Sequence, residues 1–241
     1  MINKNIANEI VIFGDGLLGS TIQQITGWDF VSRKNDKVDI NNCETYTKFL
    51  KYYKQFLNCM ACTDTYSNDF DKHWNTNYVA VINLVNLLNR HNKKLIHIST
   101  DYVYSGSVSF ASEKDVPVHA KNWYSYTKLL GDSYVQAVCK NYLLIRCSFK
   151  PRPFPYDKGI TNQIGNFDYA DVVAEKIVKL IKYNAEGVYN VGTQMKTQYD
   201  LGIKTNPDIE PIKMKIHESM PEDITMNLSK MTNFLEKIKN E

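Results

Sequence analysis

Residues 9–13, Glu-Ile-Val-Ile-Phe, form a short apolar run with almost no polar interruption, the pattern of a strand buried on both faces. Directly after it come Gly14, Gly16 and Gly19, and then apolar positions from Leu17 to Ile25 at helical spacing. The pattern predicts a strand, a tight turn and a helix. The same alternation continues, with strands predicted over residues 28–32, 55–61, 94–99 and 142–147. Between them, helices are predicted over residues 43–53, 70–91 and 122–140. Strands that alternate with helices build an α/β domain: a doubly wound parallel sheet covered on both faces, with right-handed crossovers.

The pattern changes at Lys150-Pro151-Arg152-Pro153-Phe154-Pro155, which can propagate neither a helix nor a sheet ladder. This divides the chain into a nucleotide-binding domain over 1–149 and a small lobe over 150–241. Part of that lobe, about 163–191, is expected to return to the sheet. A helix over 168–183, a strand over 187–191 and a terminal helix over 227–238 complete the reading.

Composition excludes several classes of function. Hydrophobic residues make up 43% of the 241 positions and charged residues 23%, as in soluble globular proteins. The net charge of +3 comes from interspersed Lys, Asp and Glu, which argues against nucleic acid as a partner. No apolar stretch approaches the roughly 18 residues of a membrane span. Five cysteines, an odd number, predict reduced thiols and a cytoplasmic protein. Cys59-Met60-Ala61-Cys62 has the spacing of a redox or zinc half-site, but no second pair follows and the segment continues a buried-looking strand. The histidines form no ligand pair, and no metal site is predicted.

Candidate chemistry collects at two places. In the glycine string, Gly14 permits a tight turn, Gly16 lets the backbone approach a pyrophosphate and Gly19 allows close helix packing, the signature of a Rossmann-like dinucleotide site. The second strand ends in Ser32-Arg33-Lys34, where an NAD-preferring site carries a carboxylate. Hydroxyl and positive charge there suit a 2′-phosphate, so NADP(H) is expected; against this stands the simpler reading of Arg33 and Lys34 as a solvated loop. Asp39 and Ile40 are expected to flank the adenine.

The second place is Tyr124 and Lys128, four residues apart and therefore on one helix face, where an ammonium can favour the phenolate and make Tyr124 a general acid near neutral pH. Thr100, at the end of a strand, offers a second hydrogen bond to a carbonyl oxygen that gains charge during hydride transfer. A Tyr-x-x-x-Lys pair occurs by chance on many helices; joined to the glycine turn and the hydroxyl, it reads as a carbonyl reductase.

Taken together, these segments resemble the extended short-chain dehydrogenase/reductases, most closely the dTDP-4-dehydrorhamnose reductase group. The resemblance rests on Gly14-Asp15-Gly16-Leu17-Leu18-Gly19, Asn58-Cys59-Met60-Ala61, Asn77 through Asn83-Leu84, Ser99-Thr100-Asp101-Tyr102-Val103-Tyr104 and Tyr124 through Asp132. It implies NADPH bound along Leu17, Leu18, Cys59, Met60 and Ala61, and a nucleotide-linked 4-keto-6-deoxysugar against Thr100, Asp101, Tyr102, Phe149 and Arg152. Tyr124 would supply the proton, Lys128 would hold the nicotinamide ribose, and Thr100 would orient the ketone.

Relatives include simple reductases and others that also epimerise carbons beside the ketone, for which Tyr102 occupies the promising position, with Asp101 beside it and Lys150 or Arg152 as candidates from the shortened lobe. They often form homodimers through helices corresponding to residues 70–91 and 122–140. Dehydratase relatives carry Asp-Glu after the Thr, and Asp101-Tyr102 departs from that pattern. Between Phe149 and Gln163 the chain is shorter than the group's usual substrate lobe. The same family contains a non-catalytic alternative, the NADP-binding regulatory subunit of methionine adenosyltransferase.

Overall fold

The computed structural model describes residues 9–115, 122–214 and 220–239. Its centre is a sheet of six parallel strands: β1 (Ile10–Phe13), β2 (Asp29–Val31), β3 (Gln55–Asn58), β4 (Lys94–Ser99), β5 (Tyr142–Arg146) and β6 (Gly187–Asn190). Their spatial order is β6-β5-β4-β3-β1-β2. The order reverses between β1 and β3, and in open parallel sheets ligands bind in the crevice beyond the strand ends at such a reversal.

Helices α1 (Leu17–Thr26), α2 (Ala80–Arg90), α3 (Trp123–Val138), α4 (Ala170–Lys182) and α5 (Ser229–Lys239) cover the sheet. Ile10 and Ile12 join Leu18, Ile22, Val173 and Ile177 in the core on one face; Val11 and Phe13 join Val81, Leu84 and Val135 on the other. This explains why β1 reads as continuously apolar: alternate side chains point to opposite faces, and both are buried.

Three elements differ from the sequence expectation. Residues 43–53 form two 3₁₀ stretches, Cys43–Thr45 and Thr47–Lys51, rather than an α-helix. The Thr45 hydroxyl donates to the carbonyls of Asp39 and Asn42, local bonding that competes with the α-helical ladder. The third strand stops at Asn58, whose side chain accepts from the Met60 amide and turns the chain out of the sheet. Residues 70–91 contain a π turn, Asn75–Val79, between the helix Phe70–Trp74 and α2. There α3 crosses closely: a Cβ on Gly131 would stand 2.6 Å from the Asn77 carbonyl oxygen.

After β5 the chain leaves the sheet through short pairings, Phe149–Lys150 with Asp168–Tyr169 and Lys158–Ile160 with Glu210–Ile212. Phe154, Phe167, Tyr169, Leu201 and Ile209 form a separate small core beneath them. Between these excursions α4 packs against α1 and β6 pairs with β5, so the chain returns to the large sheet as its sixth strand. Among the described residues, no helix is long and apolar enough to cross a membrane.

Candidate active site

A cleft of about 1220 Å³ runs along the strand ends. A single small-molecule pocket usually occupies roughly 300–1,000 Å³, so this volume suits two ligands lying end to end. At its first end, Gly14 adopts φ +108° and donates its amide to the Val31 carbonyl at 2.9 Å, tying the turn to β2. A Cβ on Gly19 would lie 2.1 Å from the Gly14 carbonyl oxygen, so the helix can approach the turn this closely only without a side chain. Gly16 faces open space and caps α1 without any side-chain hydrogen bond. The first amides of α1 thus border the cleft without a side-chain capping acceptor, an arrangement that fits a pyrophosphate.

The residues expected at the adenosine end separate. Arg33 and Ile40 line the cleft with Leu17, Leu18 and the segment Cys59, Met60 and Ala61. Ser32 is buried, and its hydroxyl accepts from the Asn35 amide at 3.1 Å to cap the short helix Arg33–Asp36. Lys34 is exposed and stands outside the lining. Asp39 turns toward Arg33 and accepts from its guanidinium at 2.7 Å, leaving Arg33 still 68% exposed.

At the other end, β4 delivers Thr100 and α3 delivers Tyr124 and Lys128. Asn122 starts α3 by accepting from the Ser125 amide at 2.7 Å, which fixes where the Tyr124 turn begins. Thr100, 3% exposed, lines the cleft together with Tyr124. One turn along, Lys128 is buried and donates to the Ile98 carbonyl at 2.8 Å.

The balance of forces on Tyr124 departs from the expectation drawn from spacing. Burial pushes its phenol up, with the Thr100 hydroxyl opposing, so Tyr124 is held as a protonated acid rather than a phenolate. Burial also lowers Lys128, and the Asp132 carboxylate one turn further along α3 opposes that shift. Tyr102 is likewise pushed up, chiefly by burial; its hydroxyl lies 3.4 Å from that of Tyr66 and accepts from the Gln163 amide at 3.2 Å.

Phe149 lines the cleft as expected, but two other expected substrate contacts do not. Asp101 is fully buried behind Thr100, where it accepts the Thr100 hydroxyl at 3.2 Å. Arg152 points away, pairing with Asp171 at 2.9 Å and stacking over the Tyr169 ring at 4.1 Å. Their places are taken by Lys150, Tyr156, Lys158 and Gln198 from the lobe and by Asp64 and Lys72 from the first domain. None of these stands in a periodic or spaced motif. They meet only because the lobe folds over the strand ends, so the sequence carried no local signal for them.

Residues 8–150 match the RmlD substrate binding domain. A curated relative, the spore coat polysaccharide biosynthesis protein SpsK of Bacillus subtilis, is 25% identical over 148 residues, 53% of this chain and 50% of SpsK. The chain thus spans about half the length of that relative. Among solved structures, a hypothetical dTDP-4-dehydrorhamnose reductase from Sulfolobus tokodaii superposes with TM-score 0.79 at 21% identity, covering 93% of this chain and 94% of that one. The dTDP-4-dehydrorhamnose reductase of Bacillus anthracis, in complex with NADP, gives 0.80 at 20% identity over 93% and 92%. These likenesses extend the fold past the matched segment and through the lobe. A glycine turn at a sheet reversal, with a Thr, Tyr and Lys converging at the far end of one cleft, is thus joined to a match over well over half of the sequence, and the chain belongs to the RmlD substrate binding domain family.

Proposed function

We propose that this protein reduces the C4 ketone of a nucleotide-linked 4-keto-6-deoxysugar, using NADPH. The observation that carries the reading is the convergence of Thr100, Tyr124 and Lys128 on the wall of the cleft that begins at the glycine turn. The α1 amides and Gly16 would hold the cofactor pyrophosphate, and Lys128 its nicotinamide ribose; when bound, the cofactor supplies the hydride. Tyr124 gives its proton to the carbonyl oxygen as charge develops there, and Thr100 orients that oxygen. Lys150 and Lys158 on the lobe side offer positive charge to the nucleotide diphosphate.

The division into a cofactor domain over 1–149 and a substrate lobe over 150–241, with its middle segment returned to the sheet, fits this arrangement. A soluble cytoplasmic homodimer is the assembly proposed from the resemblance. The SpsK similarity supports a place in sugar biosynthesis. A regulatory subunit without catalysis is not favoured, since it would need no acid held protonated in the cleft. Incubating the protein and NADPH with UDP- and dTDP-linked 4-keto-6-deoxysugars, with and without a 2-acetamido group, tests the reading. NMR of the products identifies the substrate and configuration, and no reduction of any ketone overturns it.

The preference for NADPH rests on Arg33, which stays largely exposed at the cleft end despite its pairing with Asp39. Arg33→Asp places a carboxylate where a 2′-phosphate would lie, so the ratio of kcat/KM for NADPH over NADH is expected to fall by about 10-fold or more. A wild-type preference for NADH would contradict the assignment.

Reduction is the reaction proposed, and epimerisation is not added to it. Epimerisation needs a base for the carbon beside the ketone, and Tyr102 is held protonated by burial while Asp101 does not reach the cleft, which leaves Lys150, its pKa lowered by burial, as the candidate base on the cleft wall. In D₂O without NADPH, no deuterium is expected at C3 or C5 of the ketosugar. Exchange that disappears in Tyr102→Phe would establish the epimerase instead.

A further inference from the structure

Tyr102 lines the cleft beside Tyr124, their ring centroids 6.2 Å apart, and its hydroxyl ends a chain of amides that begins in the lobe. Gln198 donates through Nε2 to Gln163 Oε1 at 3.0 Å. Gln163 Nε2 in turn donates to the Tyr102 hydroxyl at 3.2 Å and to the Pro221 carbonyl at 2.8 Å. A carbonyl oxygen only accepts, so Pro221 fixes which end of the Gln163 amide carries the nitrogen. Both amide hydrogens of Gln163 are then used, one on Pro221 and one on Tyr102. Gln163 is 2% exposed and stands behind the cleft lining. It leads into the short strand Ile164–Gly165, which pairs with Lys196–Thr197 on one side and Asp223–Ile224 on the other, so the backbone that carries the amide is held from both sides.

This order of donors settles what Tyr102 can offer. Its oxygen accepts from Gln163, so its own hydrogen is directed elsewhere. The neighbouring Tyr66 hydroxyl stands 3.4 Å away, beyond the roughly 2.5–3.0 Å of a good O–H···O bond, and both tyrosines line the cleft. A ligand oxygen at the usual distance would take the Tyr102 hydrogen in preference.

We propose that Gln163, as a positioning residue, presents Tyr102 as a hydrogen-bond donor to the C3 oxygen of the sugar, and that this pair selects substrates carrying an oxygen there. The inference rests on the reductase reading above, in which Tyr124 and Thr100 meet the C4 oxygen. A carbonyl oxygen has two lone pairs, and those two donors fill them. A third donor beside Tyr124 therefore serves a neighbouring carbon. C5 carries the methyl group and the ring oxygen, a poor acceptor whose lone pair is drawn toward C1. C3 carries a hydroxyl, which accepts readily. Gln163 never touches the sugar and acts through the hydrogen of Tyr102.

The test compares kcat/KM for the UDP- or dTDP-linked 4-keto-6-deoxysugar that the protein reduces fastest with kcat/KM for its 3-deoxy analogue. Removing the C3 oxygen changes the intrinsic reactivity of the ketone, but that factor cancels when the ratio for each variant is set against the wild-type ratio. Tyr102→Phe deletes the donor, and the preference for the 3-hydroxy substrate is expected to fall by about 5-fold or more, the usual weight of one hydrogen bond. Gln163→Met keeps the volume and removes the amide, and the preference is expected to fall by about 3-fold or more. Gln163→Glu puts an acceptor where the donor was and draws the Tyr102 hydrogen away from the cleft, so it supplies the same readout should Gln163→Met fail to fold. In the double variant Tyr102→Phe with Gln163→Met the two losses are expected not to multiply, because one acts through the other.

A change that merely loosens the lobe slows both substrates alike and leaves the ratio where it was. An unchanged ratio in Tyr102→Phe or in the Gln163 variants overturns the proposal alone, as does full multiplication of the two losses in the double variant. No reduction of any ketone by wild type overturns the reductase reading and the proposal with it.

Discussion

Tyr124→Phe is expected to lower turnover of a 4-keto nucleotide sugar by about 10²-fold or more, the usual contribution of a positioned general acid, while cofactor affinity is kept. The size of the effect follows from the surroundings of the phenol. Burial holds Tyr124 protonated, and it lines the cleft together with Thr100. Phenylalanine keeps the ring packing against Tyr102, whose centroid is 6.2 Å away, and against His73 at 6.3 Å, so the helix has no reason to move. What is lost is one O–H. Cofactor binding, followed by isothermal titration calorimetry, should change less than about 2-fold because the glycine turn and Lys128 are untouched. If Tyr124→Phe turned over at the wild-type rate, the proton would have to come from elsewhere and Tyr124 would be removed from the mechanism.

The parts of the site that were legible in the sequence are those where chemistry depends on local spacing. Gly14, Gly16 and Gly19 sit in one turn, and Tyr124 and Lys128 on one helix face, so their juxtaposition follows from the chain's own geometry. Thr100 could be placed because it follows directly on a predicted strand, and in parallel sheets ligands bind beyond the carboxyl ends of the strands. The role of burial was not legible in that way. A Tyr-x-x-x-Lys spacing suggests a phenol lowered by its neighbour; only the packed structure reveals that desolvation dominates and that Lys128 is bonded to the Ile98 carbonyl. Ser32 illustrates the same limit, since a hydroxyl at a strand end can face a ligand or cap the next helix, and the Asn35 amide decides for capping. Asp101 follows Thr100 and Arg152 lies within the proline segment, yet one is turned inward and the other toward Asp171. Lys158 and Gln198 lie far along the chain and reach the cleft only through lobe pairings that no short pattern encodes.

Arg146→Met is expected to destabilise the folded protein by about 3–5 kcal/mol, the cost of leaving a buried charge without its partner. Arg146 on β5 and Asp132 on α3 are 1% and 0% exposed and meet at 3.0 Å. Arg146 also donates to the Tyr104 hydroxyl at 2.8 Å, and Tyr104 donates to Asn190 on β6 at 2.8 Å. One buried network therefore fixes the helix carrying Tyr124 and Lys128 against two strands and the segment after Thr100. Asp132→Leu is expected to cost a similar amount, because it strands the guanidinium and withdraws the carboxylate that opposes the lowering of buried Lys128. The double variant Arg146→Met with Asp132→Leu removes both charges together and should cost less than the sum of the two single changes, since neither ion is then left alone in the interior. Urea unfolding midpoints at constant slope measure all three. Single variants that each cost under about 1 kcal/mol would mean that water reaches the pair and that the network does not hold α3 in place.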